Sequence, residues 1–287
     1  MSNDIKENKS IPTLRLQGFR ENQFAGKDEL LFNEIFGEKV IEKPHKHDFF
    51  VIILFDKASG IHNIDSIDYA IGNNEVHVLF PNQMHKWHIK EGTVGYQLMI
   101  EKSFLEQFAP AFRFSFTNYQ NHPVISLNDD SFEQLLYEFI AIREELISVN
   151  PIIQLISARA AVIAAIVSKE AELYIEEFKI YQTNPRLAKF NLLIDKYYKE
   201  QKGISFYADQ LNISPNYLNI LCKRNLKVSA SHLIQQRIVI EAKRLLQSSD
   251  ISIKEIAYQL GFSDHAYFSN FFKNQTELTP SQFRDQL

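Results

Sequence analysis

The hydrophobic pattern changes character twice along the chain. Between residues 31 and 100, apolar positions come in short runs rich in β-branched and aromatic side chains: Leu31–Ile35, Phe49–Phe55, Ile67–Ile71, Glu75–Phe80 and Tyr96–Glu101. Gly60, Gly72-Asn73-Asn74, Pro81-Asn82 and Gly92 punctuate them as turns. Many short strands with no helical stretch between them predict a jelly-roll sandwich or barrel. From Ser131 the period lengthens. Phe132, Leu135, Leu136, Phe139, Ile142 and Leu146 share one face of a helix ending near Ser148, and Val149-Asn150-Pro151 breaks it. Ile152–Phe178 reads as a second helix, with Ile156, Ala160, Ile163, Ala164 and Val167 on one side. Its Ala158–Val167 portion is apolar almost all round, the mark of burial on two faces.

The last hundred residues carry a repeated unit. Ser205–Leu211 is a short helix with Ala208 and Leu211 inward, Asn212-Ile213 is a turn, and Ser214-Pro215 supplies a cap and an N1 proline to the next helix. That helix buries Leu218, Leu221 and Cys222 and leaves Asn216, Asn219, Ile220 and Lys223 outward. The second unit opens on a capping box, Ser252 with Glu255, and buries Ile253, Ile256, Ala257 and Leu260. Gly261 ends the helix, and Ser263-Asp264 caps a partner that buries Phe268, Phe271 and Phe272. His265, Ala266, Ser269, Asn270 and Lys273 stay outside. Each unit is a helix-turn-helix, and the two outward-facing helices start about 50 residues apart. A long helix over Ser231–Gln247 joins them, with Leu233, Ile234, Ile238, Ala242, Leu245 and Leu246 as its inner stripe. Held at fixed separation, the pair fits successive major grooves of B-DNA, roughly 34 Å apart. The residues expected at base edges are Asn216, Asn219, Ile220, His265, Ala266, Ser269 and Asn270. Ser214, Lys223, Arg224, Arg237, Lys243, Ser263 and Lys273 are expected at phosphates.

Charge supports that division. The net charge of −4 over 287 residues conceals an asymmetry: from Asn184 onward 14 Lys and Arg face 9 Asp and Glu, about +5, leaving 17 against 26, about −9, in front. A basic end facing phosphate and an acidic front with another partner divide the chain into residues 1–125, 126–183 and 184–287. The single cysteine, Cys222, cannot pair internally, which suits a reducing cytoplasm. Residues 1–10 are polar and no apolar run reaches the ~18 residues of a bilayer span, so neither a leader nor membrane attachment is expected.

Four motifs in order resemble the DNA-binding domain of AraC-type transcription regulators: RIVIEAKRLL at Arg237–Leu246, SIKEIAYQLGFSD at Ser252–Asp264, YFSNFFK at Tyr267–Lys273 and TPSQFR at Thr279–Arg284. Family members usually have glycine after each recognition helix. Lys227 and Glu277 stand there in this chain; if the backbone at these places needs a positive φ, both bear a modest strain. Ile220 occupies a place where the family often carries a long polar reader. In the front half, Pro44-His45-Lys46-His47 and Pro81-Asn82-Gln83-Met84-His85 resemble the cupin-like sensor domain of the same regulators. The resemblance implies a two-domain fold, an all-β cupin-like jelly-roll barrel with a following helix pair, then an all-α tandem helix-turn-helix domain. It implies a ligand-responsive, sequence-specific regulator that binds double-stranded operator DNA, a small-molecule effector and the transcription machinery. The helix pair either forms a homodimer or covers the open side of the barrel.

The histidines bear on the effector. Cupin enzymes hold a divalent metal through a His-x-His pair, a nearby Glu and a later His. His45, His47 and His85 offer three imidazoles, but the carboxylate is missing, and Asp48 points to the other face of a strand from His47. These histidines are therefore read as hydrogen-bonded polar groups at a barrel mouth, as walls of a metal-free pocket, or as metal ligands. The expectation taken forward is no metal, no cofactor and no catalytic residue. In it, an effector pocket contains His45, His47, Phe49, His85 and Trp87, with its lining alternating along Phe49–Phe55 and Glu75–Phe80. Trp87 is either a core plug or a stacking platform. Two rival functions are a metal-dependent cupin enzyme with an accessory DNA-binding domain, and an effector-independent regulator whose barrel is a scaffold.

Overall fold

The computed structural model describes residues 11–19, 25–27, 29–113, 116–248 and 251–285, and the polar segment 1–10 lies outside them. Its strands are β1 (Thr13–Leu14), β2 (Ala25–Lys27), β3 (Leu30–Phe36), β4 (Lys39–His47), β5 (Phe50–Lys57), β6 (Gly60–Ile64), β7 (Ile67–Ile71), β8 (Glu75–Leu79), β9 (Met84–Ile89), β10 (Val94–Ile100) and β11 (Val124–Ser126). They form two facing sheets, ordered β1-β4-β9-β6-β7 and β11-β8-β5-β10-β3-β2. Strand β5 is apolar at six successive positions because both its faces are covered. Val51, Ile53 and Phe55 pack toward the first sheet with Ile64, Leu79 and Ile89. Phe50, Ile52 and Leu54 pack outward against helices, with Phe104, Phe139 and Ile163. The expected runs all appear as strands, with ends shifted by a few residues. Strands β4 and β9 were not expected. Strand β4 carries Lys39, Lys43, Pro44, His45, Lys46 and His47, β9 carries His85, Lys86 and His88, and His45, His47 and His85 are buried.

The helices are α1 (Leu16–Phe19), α2 (Lys102–Phe108), α3 (Phe116–Asn121), α4 (Asp129–Ile147), α5 (Ile153–Tyr174), α6 (Glu176–Thr183), α7 (Pro185–Tyr197), α8 (Ile204–Gln210), α9 (Pro215–Leu226), α10 (Ala230–Ser248), α11 (Ile253–Gln259), α12 (His265–Thr276) and α13 (Pro280–Asp285). Asn128 caps α4 through Ser131 N–H, and the buried Glu170 carboxylate of α5 accepts from Asn128 and from Ser131 Oγ, fixing the pair. The single helix expected over Ile152–Phe178 breaks at Ile175, which is extended (φ −110°, ψ 113°). Tyr181 is buried in α6, and only Asn184 interrupts the helix before capping α7. One apolar core therefore runs from the second sheet through Ala160, Val167 and Phe178 to Leu187, Ile234 and Phe268.

Candidate functional site

The two recognition helices are α9 and α12, each closed at its start by a side-chain cap. Ser214 Oγ accepts from Tyr217 N–H, and Pro215 fills N1. In the second unit the cap is Asp264, which accepts from Tyr267 N–H at 3.0 Å, so Ser263 lies one residue ahead of the helix start it was expected to supply. Leu218, Cys222, Phe268 and Phe272 are buried beneath the helices. Asn216, Ile220, Lys223 and Arg224 on α9, and His265, Ala266, Asn270 and Lys273 on α12, are exposed. Ser269 is half-buried and donates to the His265 carbonyl. Asn219 is drawn inward: its Oδ1 accepts the Ala230 N–H at the start of α10, so it caps the rod. Tyr217, Tyr258 and Tyr267 also stand exposed on this side of the domain, an aromatic set the sequence pattern did not single out.

Helix α10 ties both units together. Arg237, expected at phosphate, is instead enclosed: it stacks over Tyr198, donates to Asp195 Oδ1 at 2.8 Å and pairs with Glu241. Burial alone would raise the Glu241 carboxyl, but Arg244 and Arg237 beside it hold it below the ordinary carboxylate range. Arg244 turns toward the barrel and donates to the Pro81 carbonyl at 2.7 Å. Lys243 lines the cleft of about 280 Å³ left between α10 and the barrel, opposite Asp65 and Tyr69. Its ammonium lies 5.7 Å from the Phe283 ring centroid, so the phosphate role expected of it competes with this setting.

A second cavity, about 350 Å³, opens in the barrel wall between β4, β9, β3, β10 and the segment before β2. Phe19, Ile41 and Trp87 give it apolar walls, and Lys43, His45, His47, His85, Asn33 and Gln97 its polar groups. Phe49, placed in this pocket by sequence, lies behind it: fully buried, it stacks on His47 with ring centroids 4.4 Å apart. The expected lining from β5 and β8 is likewise displaced, because those residues fill the space between the sheets. Trp87 is half-buried on the wall, and its indole N–H finds no partner among the described residues. His88, next along, is exposed beside Glu38.

Behind this wall stand two histidines that sequence reading missed, His62 on β6 and His77 on β8, both fully buried. His85 Nδ1 lies 2.9 Å from His62 Nε2, and His62 Nδ1 lies 2.9 Å from His77 Nδ1. His77 Nε2 reaches Glu75 Oε2 at 3.5 Å. Burial lowers the pKa of all five rings, that of His47 to about 3, so they are neutral at physiological pH. The available sequence signal was positional. His62 shares the inward side of β6 with Ile64, and His77 sits in a strand covered on both faces.

Comparison with known proteins decides what the helical end is. A helix-turn-helix domain model matches residues 207–286. The HTH-type transcriptional regulator YijO of Escherichia coli (strain K12) is 33% identical over 93 residues, 32% of this chain and 33% of YijO. The HTH-type transcriptional activator RhaS of Pectobacterium carotovorum subsp. carotovorum (strain PC1) is 24% identical over 249 residues, 84% of this chain and 87% of RhaS. Residues 207–286 thus form a helix-turn-helix domain, and this end of the chain is similar to that of AraC-type transcription regulators. A solved AraC-type DNA-binding-domain regulator from Chromobacterium violaceum is 27% identical and covers 37% of this chain and 94% of its own, with a TM-score of 0.34.

The chain has a sheet-rich front and a helical end that carries the matched helix-turn-helix domain, the architecture expected from the resemblance. YijO and RhaS are HTH-type transcription regulators. Among the described residues no helix is long and apolar enough to cross a membrane. Lys227 and Glu277 do have positive φ, 62° and 67°, so the condition for strain at both places is met. The glycine that remains is required, since a Cβ on Gly261 would stand 1.8 Å from the Lys199 carbonyl oxygen.

Proposed function

We propose that this regulator senses a small, mainly apolar molecule bearing an acceptor oxygen in the barrel cavity, and that occupancy there adjusts how α9 and α12 meet operator DNA. The observation that carries the reading is the cavity itself, walled by Phe19, Ile41 and Trp87, with an unpartnered buried indole N–H. An orphaned buried donor costs about 1–3 kcal/mol, which a ligand oxygen would recover. In this reading Asn216, Ile220, His265, Ala266, Ser269 and Asn270 face base edges. Lys223, Arg224 and Lys273 neutralise phosphates, and the capped starts at Ser214 and Asp264 offer backbone N–H groups. The barrel acts as a sensor rather than an enzyme, and the regulator works with the transcription machinery in the cytoplasm.

The reading includes a homodimer. Tyr137, Ile147, Ile152, Leu155, Leu173 and Tyr174 on or beside α4 and α5 are exposed, and Val149 between them is 95% exposed. An apolar set of that kind on one helix pair favours self-association. The test uses duplexes selected from random sequence by the full chain, with Trp87 emission read during a screen of small carboxylic, hydroxylated and aromatic compounds. The expected result is a compound that shifts the emission, changes duplex affinity severalfold, and loses most of its affinity with Trp87→Phe. If every compound that perturbs Trp87 leaves duplex affinity unchanged, the sensing role fails.

A further inference from the structure

The buried histidines form one line with a direction. Its inner end is Glu75, whose carboxylate can only accept, and whose Oε2 already accepts the Gly72 N–H at 2.8 Å. His77 Nε2 lies 3.5 Å from the same oxygen, a long contact, and the carboxylate's charge favours that ring's proton on Nε2. His77 Nδ1 is then an acceptor, so His62 donates to it through Nδ1 across 2.9 Å. That leaves His62 Nε2 bare, and it accepts from His85 Nδ1, again at 2.9 Å. One carboxylate thus sets the tautomer of three rings in turn. The last consequence is a lone pair on His85 Nε2, at the place where His45 and His47 converge.

The ligand atoms of His45, His47 and His85 all lie within 4.8 Å of one another, and His85 Nε2 stands 3.4 Å from His47 Nε2. Two nitrogens at ordinary bonding distance from a tetrahedral zinc stand about 3.3 Å apart. The 3.4 Å between His85 Nε2 and His47 Nε2 is long for an N–H···N hydrogen bond and close to that value, while ligand atoms as much as 4.8 Å apart must draw together to share one ion. From this geometry we infer that His45, His47 and His85 form a three-imidazole site for a divalent first-row transition ion such as zinc, oriented from behind by His62, His77 and Glu75. Imidazoles suit zinc, iron, nickel and copper. An outer chain that fixes the ring whose free nitrogen binds is the usual support of a histidine ligand. No carboxylate belongs to the first shell, so the fourth position opens onto the cavity, with Lys43 on its rim. An anionic oxygen on the effector would complete the coordination. The missing glutamate, taken from sequence as a sign against metal, is replaced by Glu75 acting through two intervening rings.

His47 is a ligand in this assignment, and His62 a positioning residue. The full chain, stripped with a chelator, is titrated with Zn²⁺ and with Co²⁺. One ion per chain is expected, with a visible cobalt absorption of imidazole type, and with ¹⁵N signals placing the His85 proton on Nδ1. His47→Ala should abolish binding. His62→Phe keeps a ring in place but cannot accept from His85, and should weaken binding ten- to a hundredfold. Wild-type stoichiometry and the cobalt spectrum need no variant: a folded chain that takes up no ion overturns the assignment, as does unaltered affinity in His62→Phe. The link to sensing rests on the reading of the cavity given above and is measured separately. Stoichiometric zinc with unchanged affinity for selected duplexes would leave the ion site standing and remove it from the sensing route.

Discussion

At the scale of single residues, Lys227 and Glu277 show the chain tolerating strain at the ends of its recognition helices. A non-glycine residue in the left-handed region costs roughly 1–2 kcal/mol. Glycine removes that cost but loses about 0.5–1 kcal/mol through the freedom it gains in the unfolded chain. The balance favours Glu277→Gly by up to about 1 kcal/mol. Lys227→Gly should gain less, because the Lys227 ammonium donates to the Arg224 carbonyl at 3.0 Å and that bond is lost. Denaturant unfolding of the full chain checks both, and a lower midpoint for Glu277→Gly would contradict the strain argument. Cys222 yields a second expectation at this scale. It is fully buried in α9, and burial pushes its thiol up to about 12. It should resist alkylation at neutral pH in the native chain and react at the rate of a free thiol once denaturant exposes it.

At the scale of elements, the contrast between the two ends explains what could be read from sequence. Helices α9 to α12 were legible because their signals are local: a cap, an inner stripe at helical spacing, a turn glycine. Strand β5 was legible because both its faces are greasy. Strands β4 and β9 were not, because the surface they turn inward is lined with imidazoles, so the hydrophobic pattern that marks a buried strand is absent there. His62 and His77 were missed for the same reason: their meaning depends on neighbours across a sheet, not along the chain. Arg237 was misread because basic residues on a helix beside a recognition unit suggest phosphate, whereas Asp195 on α7 and Glu241 enclose it. Arg237→Ala would leave two poorly exposed carboxylates without that partner, at a cost of about 3–5 kcal/mol. The same cluster makes α10 acid-sensitive. The Glu241 carboxyl is held below its unfolded value, so its contribution is complete above about pH 4.5 and is lost as pH falls through the folded pKa. Glu241→Gln should lower stability at neutral pH and flatten its decline below pH 4.5, as read by helical circular dichroism. An unchanged acid profile would remove Glu241 from the account.

At the scale of the whole molecule, a short segment of the barrel, residues 81–84, is bonded to the rod. Asn82 N–H donates to the His47 carbonyl at 2.7 Å, Met84 N–H to Asp65 Oδ1 at 2.9 Å, and Arg244 of α10 to the Pro81 carbonyl at 2.7 Å. Residues 81–84 are therefore bonded on one side to the histidine-lined cavity and on the other to the helix that spaces the two recognition units. Two hydrogen bonds and a few backbone units connect His47 to Arg244, and a contact of this kind can bias which arrangement of the reader is populated. Arg244 belongs to the same basic run as Lys243, so phosphate binding is the competing role for it. The salt dependence of duplex binding separates these roles, because each phosphate contact contributes about one to the slope of log affinity against log salt. Lys273→Ala, on the exposed side of α12, should reduce that slope by about one. Arg244→Ala should leave the slope unchanged, alter duplex affinity severalfold, and erase any difference in affinity produced by filling the cavity. A slope that falls by one in Arg244→Ala would place this arginine on the DNA and leave the barrel without its tie to the reader.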